Sequence, residues 1–328
     1  MKIDPWRAPA SGHLVARESV HRHHDSEVFL VDVKPVAHGN YRASASLPTG
    51  HPFYSAHTSE ANRLIDPMLL LECCRQAETY LAHTFFGVEA DAAFALRSWS
   101  MLIDWDAIAL VPTTSLHTLV MATDGLAPVR WGDRTTGLGP SFRLMVGSRI
   151  IGRVELKVSY VPRKTYDVVR SRGRDGRPPT SDRLPRQSCA EVVPPASVGR
   201  LSRADTLLSD MTQREDTMSA CLRVPVDHRS LFDHPQDHVP GTVLVEAARQ
   251  LATYVSTQPH AVALTSMEAT FRSYTELDAA IRLEASSTEP NKATVSLRQR
   301  DTEVAWIRLE SVVPKLSTEE VARCVLPF

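Results

Sequence analysis

No run of 18 apolar residues occurs in the chain, so no segment reads as a membrane-spanning helix. The opening Met1-Lys-Ile-Asp-Pro-Trp-Arg7 lacks the apolar core of a secretory signal. Cysteine is scarce: Cys73, Cys74, Cys189, Cys221 and Cys324 form an odd set without a C-x-x-C pair, which argues against a disulfide framework and points to a reducing, cytoplasmic setting. Net charge is nearly absent. With 37 Lys and Arg against 38 Asp and Glu, giving −1, a whole-molecule nucleic-acid or polyanion binder is excluded. There is no G-x-S-x-G, no P-loop and no dinucleotide fingerprint, and no cofactor is expected. His21, His23 and His24 cluster without matching Cys or carboxylate spacing, so no metal site is expected either.

What the chain does have is an internal repeat. Met68-Leu-Leu-Leu-Glu-Cys-Cys-Arg-Gln-Ala-Glu-Thr-Tyr80 recurs as Thr242-Val-Leu-Val-Glu-Ala-Ala-Arg-Gln-Leu-Ala-Thr-Tyr254, sharing Leu70/Leu244, Glu72/Glu246, Arg75/Arg249, Gln76/Gln250, Thr79/Thr253 and Tyr80/Tyr254 at a spacing of 174. In both copies apolar or small residues surround the polar ones, the pattern of a helix buried on all sides. Glu, the Arg three residues on and the Gln four residues on share one helical face, so their heads converge. The match extends outward. Val20-His-Arg22 aligns with Val198-Gly-Arg200 at 178, Ser44-Ala-Ser-Leu47 with Ser219-Ala-Cys-Leu222 at 175, and Ala95-Leu96 and Ser98 with Ala263-Leu264 and Ser266 at 168. A slowly drifting spacing is the mark of a duplicated domain with loop insertions, and its period is too long for a solenoid.

The 328 residues suffice for two cores. The expected organisation is a first domain over 1–162, a basic linker over 163–197 and a second domain over 198–328. In the first, strands near 27–34 and 41–47 precede a loop at 49–61. Asp66-Pro67 then supplies an N-cap and a first helical residue. The helix runs to about Gly87, and strand-like stretches follow at 94–103, 115–122, 141–146 and 147–160. The second domain repeats this order with a loop at 227–239, a helix from Pro240-Gly241, and strands near 262–274, 279–286, 293–300 and 303–313. One long buried helix with an antiparallel sheet wrapped around it, present twice, implies an α+β tandem hotdog packed edge to edge as an internal pseudo-dimer. The linker, rich in Arg, Pro and Gly, reads either as a solvated tether or as a dock for an acidic partner such as an acyl carrier protein.

The stretch Phe232-Asp-His-Pro-Gln-Asp-His-Val-Pro-Gly-Thr-Val-Leu-Val-Glu-Ala-Ala-Arg-Gln250 resembles the active-site segment of hotdog β-hydroxyacyl-ACP dehydratases. There a His-bearing loop runs through Pro-Gly into a helix that carries the catalytic acid and, four positions on, a Gln. Glu246, Pro240-Gly241 and Gln250 match. Phe232 stands where that His would be, fourteen residues before Glu246, with His234 and His238 nearby. Arg249 also departs, since those enzymes carry a small residue there. Together with Asp66-Pro-x-Leu-x-x-Glu72-x-x-Arg75-Gln76, with Val20-His-Arg-His-His24 and with His51-Pro-Phe-Tyr54, the combination closely resembles the A-factor biosynthesis (AfsA) family across both domains.

That resemblance implies an acyltransferase joining a β-ketoacyl group from acyl carrier protein to dihydroxyacetone phosphate, on the way to butanolide, butenolide or furan signalling molecules. It implies acyl carrier protein and the triose phosphate as partners; composition adds no nucleic acid and no membrane, and a homodimer is left open. On this reading Glu246 is the general base, with Glu72 its counterpart, and Arg249 holds phosphate or a developing enolate, with Arg75 as the fallback. The N–H groups from Gly241 onward hold the thioester oxyanion, and His234, His238 and Gln250 contact substrate. The second copy is weighted above the first. The bland alternative is that both Glu–Arg sets are interface ion pairs. A dehydratase or thioesterase acting on acyl-ACP, and a non-catalytic acyl-binding module, are the competing functions. Cys73 and Cys74, facing Ala247 and Ala248 in the repeat, read as packing rather than as nucleophiles.

Overall fold

The computed structural model describes residues 14–315 except 38, 173, 175, 185–190, 216, 257 and 290. Cys189, Cys324 and the N-terminal Met1 to Arg7 lie outside the described residues. The first half contains β1 (Leu30–Ala37), β2 (Asn40–Ser46), a short α1 (Glu60–Leu64), the long α2 (Pro67–Thr84), β3 (Ala93–Ile103), a short α3 (Trp105–Ala109), β4 (Thr118–Thr123), β5 (Val129–Trp131), β6 (Arg134–Leu138), β7 (Ser141–Val146) and β8 (Arg149–Val161). After α4 (Arg163–Ser171) come β9 (Leu208–Arg214), β10 (Thr217–Leu222), the long α5 (Gly241–Val255), β11 (Ala263–Phe271), β12 (Arg282–Glu289), β13 (Lys292–Gln299) and β14 (Thr302–Val312).

The strands form one antiparallel sheet in the order β1-β2-β4-β7-β8-β3-β11-β14-β13-β12-β10-β9. Each strand of one half has its counterpart at the mirrored place in the other, so the order itself displays the duplication. The halves join where β3 pairs with β11, with Met101 opposite Met267 and Trp99 opposite Ala269. Even an irregularity is repeated: β3 slips register against β8 between Leu96 and Ser98, and β11 slips against β14 between Leu264 and Ser266. These are the residues that align in sequence. The first half alone carries the β5–β6 hairpin, which pairs onto β8 through β6. That hairpin and the short helices carry no strong periodic signal and were not expected.

The sheet wraps α2 and α5, whose side chains are buried almost throughout. Asp66 caps α2 as expected, accepting the Met68 N–H at 2.9 Å, with Pro67 in the first turn. Pro240, its counterpart, offers no side-chain cap, so α5 begins with Gly241 and Thr242 N–H groups free of intrahelical partners. Cys73 and Cys74 are fully buried, with burial pushing both thiols well above their usual range, and Cys74 Sγ lies 3.6 Å from Met121 Sδ, as packing residues should.

The expectation for the basic segment after residue 162 needs correction. Its first stretch is not a free tether. It folds as α4 against the second half, with Tyr166 and Arg170 buried. Arg170 bonds Glu276 through Nη1 at 2.6 Å and Nη2 at 2.8 Å, and its guanidinium lies 4.7 Å from the Tyr274 ring centre. Tyr166 donates to Asp237 at 2.7 Å, and Arg174 reaches Glu276 and Asp278. The chain's own carboxylates pair with Arg163, Arg170, Arg174 and Arg177, so a segment too polar to fold alone folds by docking.

Candidate active site

Each long helix carries one charged centre, built identically from the repeat. On α2, Glu72 is held by Arg75 Nε and Nη2, both at 2.8 Å, by Arg22 Nη2 at 2.5 Å and by Gln76 Nε2 at 2.7 Å. On α5, Glu246 is held by Arg249 Nε and Nη2, both at 2.8 Å, by Arg200 Nη2 at 2.8 Å and by Gln250 Nε2 at 2.7 Å. Sequence reasoning aligned Arg22 with Arg200 but did not nominate them, although their recurrence beside the helix motif was the available signal. Burial opposes the charge on both carboxylates. The adjacent guanidiniums outweigh it, leaving Glu72 lowered to about 2 and Glu246 lower still.

The glutamines do not face substrate. Gln76 Oε1 accepts the Phe29 and Leu30 N–H groups and Nε2 donates to the Glu27 carbonyl. Gln250 Oε1 accepts the Leu207 N–H and Nε2 donates to the Asp205 carbonyl. Both are fully buried and tie the helix to the start of its half's first strand. Gln250 therefore corrects from substrate contact to scaffold.

Identical centres meet different surroundings, because each half's loop covers the other half's helix. Over the α5 centre the first loop inserts Phe53, whose ring lies 4.0 Å from the Arg200 guanidinium and whose carbonyl accepts from Arg200 at 2.8 Å. His57 follows, fully buried, 3.3 Å from Arg200 and 2.8 Å from the Asp66 carboxylate. Burial holds the His57 imidazole below its usual range, against the opposing pull of Asp66. Asp66 is lowered despite its burial, first by His57 and then by Arg200 and Arg249, and supplies a second negative charge to this centre. Two cations thus meet two anions in a filled pocket.

Over the α2 centre the second loop leaves a cavity of about 830 Å³. Arg22, Arg75, His234, His238 and Gly241 line it, whereas Glu246, Arg249 and Gln250 do not. Of the expected site residues, the structure therefore brings together the first-copy arginine with the second-half loop and helix start, with Glu72 directly behind that arginine. The second-copy pair, given more weight from sequence, is shut in. The loop carboxylate beside this centre, Asp233, accepts from the His23 and His24 N–H groups at 2.6 and 3.1 Å, so its attraction for Arg22 acts at longer range. The Nη1 groups of Arg22 and Arg75 are not bound to Glu72, and Arg75 Nη1 makes only a 3.5 Å contact with Thr79.

The rest of the cavity divides by polarity. Phe94, Leu96, Trp99, Leu156, Val158 and Phe271 give an apolar wall suited to an acyl chain. Against this wall, α5 presents its free N-terminal N–H groups at Gly241 and Thr242. A Cβ on Gly241 would meet Leu96 Cδ2 at 3.0 Å and Phe271 Cζ at 3.2 Å, so the wall closes directly on that glycine. His238 is oriented by Asp237, 2.7 Å from Nδ1, and packs edge-on to Tyr274. Glu78, also on the wall and 1 % exposed, accepts from the Tyr160 hydroxyl and is pushed up to about 7 by burial. It was missed from sequence; its signal was a carboxylate in one copy of the helix facing Ala252 in the other.

A sheet wrapped twice around a buried helix, with one charged centre shut in and one beside a cavity, defines a tandem hotdog protein. The sequence profile of the A-factor biosynthesis hotdog domain (AfsA) matches residues 7–162 and 182–321, and the chain belongs to that family. It is 32% identical over 268 residues to a 2-oxo-3-(phosphooxy)propyl 3-oxoalkanoate synthase of Streptomyces virginiae, covering 80% of this chain and 84% of that one. A protein of the same name from Streptomyces coelicolor is 30% identical, over 72% of this chain and 71% of its own. Among solved structures, the dehydratase domain from the CurF module of curacin polyketide synthase superposes with a TM-score of 0.47 at 12% identity, over 88% of this chain and 98% of that domain. That likeness is too loose to carry an argument. Among the described residues no helix is long and apolar enough to cross a membrane, and no His, Cys, Asp and Glu group is arranged to hold a metal ion.

Proposed function

We propose that this chain is a cytoplasmic acyltransferase that moves a β-ketoacyl group from acyl carrier protein to a hydroxyl of dihydroxyacetone phosphate. The product is the phosphorylated β-ketoacyl ester from which butanolide-, butenolide- or furan-type signalling molecules are built. The name shared by the relatives describes such an ester, a 3-oxoalkanoate carried on a 2-oxo-3-phosphooxypropyl unit. The observation that carries the reading is the pairing of Arg22 and Arg75 on the single carboxylate of Glu72 at the wall of a cavity that also has an apolar face. Two guanidiniums sharing one carboxylate leave positive charge and donors for an anion, and a planar fork suits phosphate. The acyl chain lies along the Phe94 and Leu96 wall, with its thioester carbonyl at the uncapped start of α5, where free N–H groups stabilise the tetrahedral oxyanion.

In this arrangement Glu72 acts as the counter-ion that aims two arginines, a positioning role, because a carboxylate bound by so many donors and lowered to about 2 is a weak base. The test is mass spectrometry of the protein incubated with β-ketoacyl carrier protein and either dihydroxyacetone phosphate or dihydroxyacetone. The expected result is an ester from the phosphorylated triose and a strong preference over the unphosphorylated one, with Arg75→Ala losing most of that preference. Acyl transfer blind to the phosphate, or none, refutes the reading.

A further inference from the structure

Acyl transfer to a hydroxyl needs a group that accepts a proton near neutral pH and stands beside the reacting atoms. The motif acid does not qualify: both oxygens of Glu72 are bound by guanidinium groups. His21 also lines the cavity, but its Nε2 faces His83 Nε2 at 2.8 Å, while His83 Nδ1 faces the Val88 carbonyl. Burial, with Arg75 next, lowers His21 to about 3, so it stays neutral and barely basic. His234 and His238, on the second-half loop, each have one ring nitrogen engaged, by Gln236 and by Asp237.

Glu78 stands apart from all of these. It lies on the cavity wall one turn beyond Arg75, buried, with no cation in ion-pair contact among the described residues. Tyr160 donates to Oε1, and Oε2 has only a 3.4 Å contact with the Thr79 hydroxyl. Phe94, on the same wall, packs against the Tyr160 ring at 4.7 Å and keeps the surroundings apolar. The α5 centre, whose Glu246 and Arg249 do not line this cavity, has Ala252 at the matching position. A carboxylate is thus present only in the copy of the helix that faces open space.

We propose that Glu78 is the catalytic proton carrier of this cavity, taking the proton of the triose hydroxyl and returning it to the departing sulfur. The role rests on the acyl-transfer reading above. The hydroxyl oxygen attacks the thioester carbonyl carbon, the new C–O bond forms, and the proton moves to Glu78. When the tetrahedral intermediate collapses, the C–S bond breaks with its electron pair on sulfur, and Glu78 delivers the proton there. Ester and thiol are the products, nothing is oxidised or reduced, and Glu78 ends as it began. Burial raises Glu78 to about 7, which suits a group that must both accept and release a proton. The Tyr160 hydrogen bond opposes that rise by favouring the charged form.

The experiment follows thiol release from a β-ketoacyl pantetheine thioester, with and without dihydroxyacetone phosphate, as kcat/KM against pH. Wild type is expected to release thiol only with the triose phosphate and to gain rate as pH rises through about 7, where Glu78 ionises. Glu78→Gln keeps the shape of the protonated acid and an acceptor for Tyr160, so it folds; it is expected to lose about a hundredfold or more and the pH limb with it. Tyr160→Phe is expected to stay active with the limb moved to higher pH, a shift that a structural role for the pair would not produce. Wild type indifferent to the triose phosphate sinks the acyl-transfer reading and this role with it. An active wild type alongside an unimpaired Glu78→Gln, or alongside a Tyr160→Phe with an unmoved limb, overturns Glu78 alone.

Discussion

Arginine truncation separates the two centres. Arg249 and Arg75 each bond their glutamate through Nε and Nη2 at 2.8 Å, but the Arg249 side chain is 5% exposed in a filled pocket and the Arg75 side chain 22% exposed beside a cavity. Arg249→Ala leaves Glu246 buried with one guanidinium instead of two and opens a void that Phe53 and His57 shield from water. Breaking a buried pair in this way costs about 3–5 kcal/mol, and the lower end applies because Arg200 remains. At roughly 2–4 °C per kcal/mol for a large domain, the melting temperature falls by about 6–12 °C. Arg75→Ala removes the same two bonds where cavity water solvates Glu72, so about 1–2 kcal/mol is lost. Activity divides the other way. Per folded molecule, Arg75→Ala loses about a hundredfold or more in ester formation, the scale for removing an electrostatic clamp, whereas Arg249→Ala stays within about tenfold. Circular-dichroism melting and product quantification well below the melting point read both quantities on the same samples. A fully stable but inactive Arg249→Ala, or an Arg75→Ala that fails to fold, refutes the division into a scaffolding and a working centre.

Two further outcomes follow from named groups. Glu78 binds its proton more tightly folded than unfolded, so its contribution to stability is complete below about 4.5 and is lost as pH rises through about 7. The rise from 4.5 to about 7 corresponds to roughly 3 kcal/mol, and Glu78→Gln should be more stable than wild type by up to about that amount at pH 8 yet near equal at pH 5, as chemical denaturation at the two pH values will show; equal gains at both contradict it. Arg170→Ala removes the buried guanidinium that joins α4 to Glu276 and Asp237, so limited tryptic digestion should cut within 163–174 much faster than in wild type while the rest of the chain resists. Unchanged cleavage there would mean that other contacts hold the helix.

The parts legible in the sequence are those that depend on neighbours along the chain. Helical spacing put Glu, Arg and Gln on one face, and that face forms a single charged centre in each half. Asp66-Pro67 is a local capping signal and caps α2 as read. Strand periodicity and the drifting repeat gave the tandem arrangement, because a duplicated pattern of apolar positions has one efficient way to bury itself twice. What sequence left undecided is what only distant contacts settle. Which of two nearly identical centres is open depends on the loop that the other half lays over it, and Phe53 reaches Arg200 across 147 residues of chain. Glu78 meets its hydrogen-bond partner Tyr160 82 residues on, and the basic segment docks through Arg170 on Glu276, 106 residues beyond it. Periodicity and capping act over a few residues and are written in the order of the chain, whereas the burial and charge balance of a pocket are set by groups that meet only when the halves close on each other.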